Sequence, residues 1–280
     1  MTEALVLGGG GVAGVAWTTG LLAGLAEAGQ DVSGAELIVG TSAGSTVAAQ
    51  LGSGLGLEDL YARQVEPGLQ AAEIMAAVDL ASLGSGIAAA LRSTTSALEI
   101  RRAVGRLALD ADTVPEAERR AVIESRLPSH EWPVRVLKIV AVDAESGEPR
   151  VFDGTSGVSL VDAVTASCAV PGVWPPVTIE GHRYVDGGVR SNTNADYAAG
   201  ASRVLVIAPM GQTSLLPGEK PLVQTVEELR AGGAEVAVVE PDEASRLAIG
   251  TNALDPSTRR PAAGAGRDQG RGLKIEWKRA

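Results

Sequence analysis

Histidine and cysteine are nearly absent from this chain. Its 280 residues include two histidines, His130 and His182, and one cysteine, Cys168. A single cysteine excludes an internal disulfide and fits a reducing cytoplasm. No group of His, Cys and carboxylates has metal-ligand spacing, so no metal and no cofactor are expected. Positive charge is also short: 24 Lys and Arg stand against 34 Asp and Glu, for a net charge of −10. That balance argues against a nucleic-acid partner, because phosphate binding needs clustered Lys and Arg. It also argues against electrostatic docking on anionic lipid.

What is present is apolar and glycine-rich. Hydrophobic residues make up 45% of the chain, which has the length to bury one large core. No charge interrupts Ala4 to Ala26, a run long enough to span a membrane. It holds seven glycines, however, four of them consecutive from Gly8 to Gly11, and nothing basic precedes it. A buried strand, a glycine loop and a buried helix account for it better than a span or a signal peptide.

The same order then repeats. "ALVLG" (4–8) reads as a strand and 12–29 as a helix; "ELIVG" (36–40) reads as a second strand and 43–53 as a second helix. Such repetition predicts a largely parallel α/β sheet. An Ala- and Leu-rich stretch over about 68–127 predicts several helices and no strand. Strands return at 134–144 and 149–153, a helix at 159–168, then "RYVDGG" (183–188) and a strand at 203–209. A helix near 221–232, a strand at 235–239 and a helix from about Asp242 follow. Beyond 255 the Gly, Arg and Pro content predicts a loosely ordered tail (256–280).

Three short patterns carry chemistry. Gly40-Thr41-Ser42-Ala43-Gly44 is a G-x-S-x-G between a strand and a helix. Small neighbours let such a turn close and leave the serine hydroxyl open to attack a carbonyl. An ordinary helix N-cap is the plainer use of the same serine. Gly9-Gly10-Gly11-Val12-Ala13-Gly14 follows a strand and opens a helix. A dinucleotide fold uses that pattern, but it also needs an acid at the end of the second strand, where this chain has Thr41 and Ser42. The other uses are an oxyanion hole, built from exposed amides and the helix dipole, and a tight packing turn. Asp186-Gly187-Gly188 puts a carboxylate at a strand end, before glycines that permit close backbone approach. A serine needs a base, usually histidine. The hydrolase chain order of Ser, acid, His cannot be built, because no histidine follows Asp186. His130 and His182 read as surface residues.

Together these blocks resemble the patatin-like phospholipase family. The glycine loop matches its oxyanion motif, Gly40 to Gly44 its nucleophile motif, and Asp186-Gly187-Gly188 its aspartate motif. "ASCAVPGVWPPV" (166–177) is similar to a fourth block, and all four occur in family order. The chain departs at Ala13, where the family often has Arg or Lys, and at Asn192-Thr193-Asn194, where it often has Asn-x-Pro.

The resemblance implies a three-layer α/β/α sandwich with a mostly parallel central sheet and a helical insertion at about 68–127, within a domain over 1–255. It implies a Ser42–Asp186 dyad, an oxyanion hole from Gly9, Gly10, Gly11 and Val12, and motif support from Gly14, Gly40, Gly44, Gly187 and Gly188. The implied substrate is a lipid or other acyl ester, met in the cytoplasm or at a membrane surface. A nucleotide-binding Rossmann enzyme and a non-catalytic regulatory module are the competing readings.

Overall fold

The computed structural model describes residues 2–75, 96–212, 214 and 216–278. The chain runs β1 (Glu3–Leu7), α1 (Gly11–Glu27), β2 (Leu37–Thr41), α2 (Ala43–Leu51) and α3 (Leu57–Val65). Then come α4 (Ala97–Asp110), α5 (Glu116–Arg126), β3 (Val136–Asp143), β4 (Pro149–Phe152), α6 (Leu160–Ser167), β5 (Val177–Ile179) and β6 (His182–Asp186). It closes with β7 (Arg203–Ile207), α7 (Leu222–Ala231), β8 (Glu235–Val239), α8 (Glu243–Ile249) and α9 (Arg259–Gly272).

Among the described residues the sheet has eight strands, ordered β5-β6-β3-β2-β1-β7-β8 with β4 beside β3. Strands β3, β2, β1, β7 and β8 are parallel neighbours. Strands β4, β5 and β6 pair antiparallel. Both faces of the parallel strands are covered, as their unbroken apolar runs require. Leu5, Leu7, Ile38, Leu205 and Ile207 face one core with α1, α2 and α6. The alternate residues Ala4, Val6, Val39, Val204 and Val206 face a second core with α7. The period-two alternation of strands thus produces the helix–sheet–helix layering. β1 lies between β2 and β7, so the loops after β1 and β2 leave neighbouring strand ends on the same edge of the sheet. Open α/β sheets bind ligands at that kind of position.

Two parts differ from the expectation. Of the stretch 68–127, residues 76–95, with the "LGSG" break, lie outside the described residues; α4 and α5 are helical as expected. The segment expected to be a loosely ordered tail forms α9 instead. Its glycines lower helix propensity, but here they allow close packing on α1. A Cβ on Gly266 or Gly270 would overlap the carbonyl oxygen of Trp17 or Leu21, and one on Gly20 or Gly24 that of Ala263 or Arg267. The arginines are used too: Arg259 pairs with Glu73, Arg267 with Glu27 and Glu58, and Arg271 with Glu27.

Candidate active site

Ser42 sits on the turn between β2 and α2 with φ 53° and ψ −118°. Positive φ in a non-glycine residue stores strain, and such strain collects at functional turns. The turn closes only because its neighbours are small. A Cβ on Gly40 would lie 2.6 Å from Ser45 Cα, and one on Gly44 would overlap the Leu7 carbonyl. Buried groups hold the strained residue in place. The Ser42 amide donates to Ser167 Oγ at 2.9 Å, and that hydroxyl donates to the Val140 carbonyl at 2.7 Å. The Ser42 carbonyl accepts from Ser45 Oγ at 2.6 Å and from Cys168 Sγ at 3.2 Å. Burial pushes the Cys168 thiol up, which keeps it a neutral donor. Ser42 holds the N-cap position of α2, but its side chain accepts no capping hydrogen bond.

Sheet register brings Asp186 to the same place. β2 ends with Thr41 opposite Val140, and β6 ends with Asp186 opposite Ala141, the next residue of β3. The two motif residues therefore leave adjacent positions of one strand. A Cβ on Gly187 would overlap the Val140 carbonyl, which is why glycine follows the aspartate. Asn194 ties the two motifs together: its Nδ2 donates to Thr41 Oγ1 at 3.0 Å and to the Gly187 carbonyl at 3.2 Å. Asp186 is 5% exposed. Burial raises its pKa to about 6, against the pull of the Ser42 hydroxyl, the Gly188 amide and the Arg119 charge. Oδ1 accepts from the Gly188 amide at 2.7 Å. Among the described residues Oδ2 is buried with no hydrogen-bond partner, while the Ser42 hydroxyl is near enough to pull the carboxyl's pKa down. Catalytic hydrogen bonds often tighten only when substrate is seated.

The glycine loop divides its amides. Gly8 donates to the Ile207 carbonyl, Gly9 to the Asn192 carbonyl and Ala13 to the Ala253 carbonyl, at 2.9, 2.9 and 3.0 Å. Gly9 therefore does not offer a free amide, contrary to the sequence expectation. Its lack of a side chain matters instead, since a Cβ there would lie 2.6 Å from Asn192 Oδ1. Gly10, Gly11 and Val12 stand at the start of α1, where backbone amides have no intrahelical acceptor. Gly11 and Val12 line one cavity with Ser42. Gly11 has φ +61°, and a Cβ on it would lie 2.5 Å from the Ala253 carbonyl oxygen. Gly10 is extended; it is glycine because a Cβ would lie 2.7 Å from Pro209 Cβ. A Cβ on Gly14 would meet Ala43 and Pro209 only at ordinary contact distance, 3.4 Å.

The residues missed from the sequence stand above Ser42. Glu73, Arg119 and Arg126 line the same cavity, which holds about 20 Å³. Arg119 lies over the Trp174 ring at 3.9 Å. The two histidines lie elsewhere, as expected. His182 is exposed and pairs with Asp143 at 2.9 Å, and His130 is exposed beside Glu124. Among the described residues no His, Cys, Asp and Glu group could hold a metal, and no helix is long and apolar enough to cross a membrane.

Comparison with solved structures finds VipD from Legionella pneumophila at 13% identity and TM-score 0.48, covering 96% of this chain and 66% of that one. It also finds the type III effector ExoU at 17% identity and TM-score 0.41, covering 99% of this chain. A complex of SpcU with ExoU from Pseudomonas aeruginosa matches at 18% identity, 99% coverage and TM-score 0.37. The chain spans 55% of ExoU's length in the first of these two structures and 54% in the complex. No curated protein gives a significant sequence match. The family model described as patatin-like phospholipase matches residues 5–199, a span that takes in the glycine loop, the Ser42 turn and Asp186. The chain belongs to the patatin-like phospholipase family, whose members are typically serine hydrolases of lipid esters.

Proposed function

We propose that this chain hydrolyses carboxylic esters of lipids with Ser42 as nucleophile, Asp186 as general base and the Gly10, Gly11 and Val12 amides as the oxyanion hole. The observation that carries this reading is the meeting of a strained Ser42 with a buried carboxylate whose pKa is about 6. A carboxylate at its ordinary pKa is a weak base, and burial makes Asp186 a stronger one while leaving it ionised at neutral pH.

Ser42 Oγ attacks the acyl carbon and its proton passes to Asp186 Oδ2. The carbonyl oxygen, now negative, meets the loop amides at the positive end of α1. As the intermediate collapses, Asp186 returns the proton to the departing alkoxide and an acyl-Ser42 remains. Water then attacks that ester with Asp186 again taking the proton, which it passes to Ser42 Oγ as the acid leaves. Val12, Ile74, Val170, Trp174 and Leu254 supply apolar wall for the acyl chain. Exposed Leu69 and Met75, on the same segment as Glu73, are the groups that would meet a lipid surface.

The test is a screen of p-nitrophenyl esters of graded chain length and then phospholipids, with fluorophosphonate labelling of the wild type and of Ser42→Ala. The expected result is turnover and labelling that both vanish in Ser42→Ala. Stabilisation by NAD or ATP with no labelling would support the nucleotide-binding alternative. Absence of turnover on every ester would support a regulatory module.

A further inference from the structure

Three buried arginines converge on one buried carboxylate beside Ser42, in a chain whose net charge is −10. Glu73 Oε1 accepts from Arg126 Nε at 3.0 Å and from Arg259 Nη2, and Oε2 accepts from Arg126 Nη2 at 2.5 Å. The third arginine is left over. Arg119 Nη1 stands 4.0 Å from Glu73 Oε2, outside hydrogen-bond range. Among the described residues its Nε and Nη1 have no acceptor, and the residue is only 4% exposed. Arg259 Nε has none among the described residues either. Burial pulls Arg119 down to about 10, so it remains charged at neutral pH. Burial pushes Glu73 up, but the arginines around it more than offset that and its pKa falls.

Among the described residues the charges here do not balance. Three guanidiniums face the carboxylates of Glu73 and Asp186, while the Cys168 thiol is neutral, which leaves one positive charge over. Buried unpaired guanidinium donors are costly unless they serve a ligand. Arg119 lines the cavity with Ser42, and its charge reaches Asp186. The same cavity holds about 20 Å³ with Glu73 in place, room for about one water.

We infer that Arg119, Arg126 and Arg259 form an anion subsite of the ester site, and that Glu73 occupies it until an anionic group of the substrate takes its place. This rests on the acyl-hydrolase reading of Ser42. The favoured substrate is an ester with a phosphate or a carboxylate a short spacer from the scissile bond. An arginine fork suits either group, because its parallel N–H bonds match two oxygens at once. Neutral esters lack the group that displaces Glu73 and leave Arg119 unpaired.

The experiment compares two matched pairs of esters. p-Nitrophenyl butyrate against mono-p-nitrophenyl glutarate tests a carboxylate in the acyl half. Dihexanoylglycerol against dihexanoyl phosphatidic acid tests a phosphate in the alcohol half. The readout is the ratio of kcat/KM for anionic over neutral ester, in which any loss of folded protein cancels. Wild type prefers the anionic member of at least one pair, and the pair identifies the anion. Arg119→Gln lowers that ratio at least about tenfold, the scale of one charge-assisted hydrogen bond. Arg119→Lys restores part of it, and Glu73→Gln raises it. Ratios that stay unchanged in Arg119→Gln and Glu73→Gln overturn the inference. If the wild type cleaves no ester and Ser42 takes no fluorophosphonate, the hydrolase reading fails. The subsite is then judged by inorganic phosphate, which must raise the melting temperature of wild type more than that of Arg119→Gln, or the subsite fails as well.

Discussion

Replacing Asp186 by Asn separates its chemistry from its cost to the fold. The side chain is buried, and its pKa stands at about 6 against an ordinary 3.8. The native state therefore holds this proton more tightly than the unfolded chain does. Its contribution to stability is complete below pH 3.8 and is lost as pH rises through about 6. At about 1.4 kcal/mol per pH unit, burying the ionised carboxylate costs about 3 kcal/mol above pH 7. About half of that cost is already present at pH 5. Asparagine carries no charge to bury, and its carbonyl can accept from the Gly188 amide as Oδ1 does. The mutant's stability relative to wild type should then rise by about 1 to 2 kcal/mol between pH 5 and pH 8. The pull of Arg119 on the ionised carboxylate is already contained in that pKa, so it adds no separate change. The assay is urea unfolding of both proteins at the two pH values, alongside ester hydrolysis. Turnover should fall by at least about a thousandfold, and the Ser42→Ala/Asp186→Asn double mutant should be no worse than Ser42→Ala alone. A stability difference that does not change with pH would refute the raised pKa. A folded Asp186→Asn protein with full turnover would refute the role as base.

Gly11→Ala puts a Cβ 2.5 Å from the Ala253 carbonyl at φ +61°, so the thermal midpoint should fall. Its misaimed amide should also lower kcat on the order of a hundredfold with little change in KM. A less stable mutant with wild-type kcat per folded molecule would make Gly11 a packing residue only. Activity should rise with pH through about 6, following ionisation of Asp186. That rising limb should survive in His130→Ala/His182→Ala, both side chains being exposed. Loss of the limb in the double histidine mutant would return the base to a histidine.

The parts legible in the sequence are those decided by neighbours along the chain. β1, the glycine loop and α1 follow from an apolar run broken by glycines, and the Ser42 turn follows from small residues between a strand and a helix. Asp186 is visible as a strand-end carboxylate, but its meeting with Ser42 depends on β3 pairing with both β2 and β6, which no local pattern states. The division of labour in the glycine loop is equally non-local: whether the Gly9 amide is free depends on the Asn192 carbonyl. β5 has three residues, too few for a periodicity. α9 looks like a tail because its glycines have meaning only against α1. Arg119, Arg126 and Arg259 carry no local signal, because only the fold brings Glu73 among them.

The pairing of α1 with α9 has a consequence for how the chain is made. Trp17 on α1 donates to Gln269 on α9, across 252 positions of sequence. α1 is buried along nearly its whole length, and much of what buries it belongs to α9. On the ribosome α1 emerges early, and its cover emerges only after residue 272 has cleared the exit tunnel. At translation rates of about 5–20 residues per second, that interval is on the order of ten seconds or more. Throughout it the nascent chain displays an apolar helix, charged only at Glu27, next to the strand that will sit between β2 and β7. Docking of α9 therefore follows the synthesis of β8, and the glycine loop acquires its final shape only when Ala253 arrives to accept the Ala13 amide.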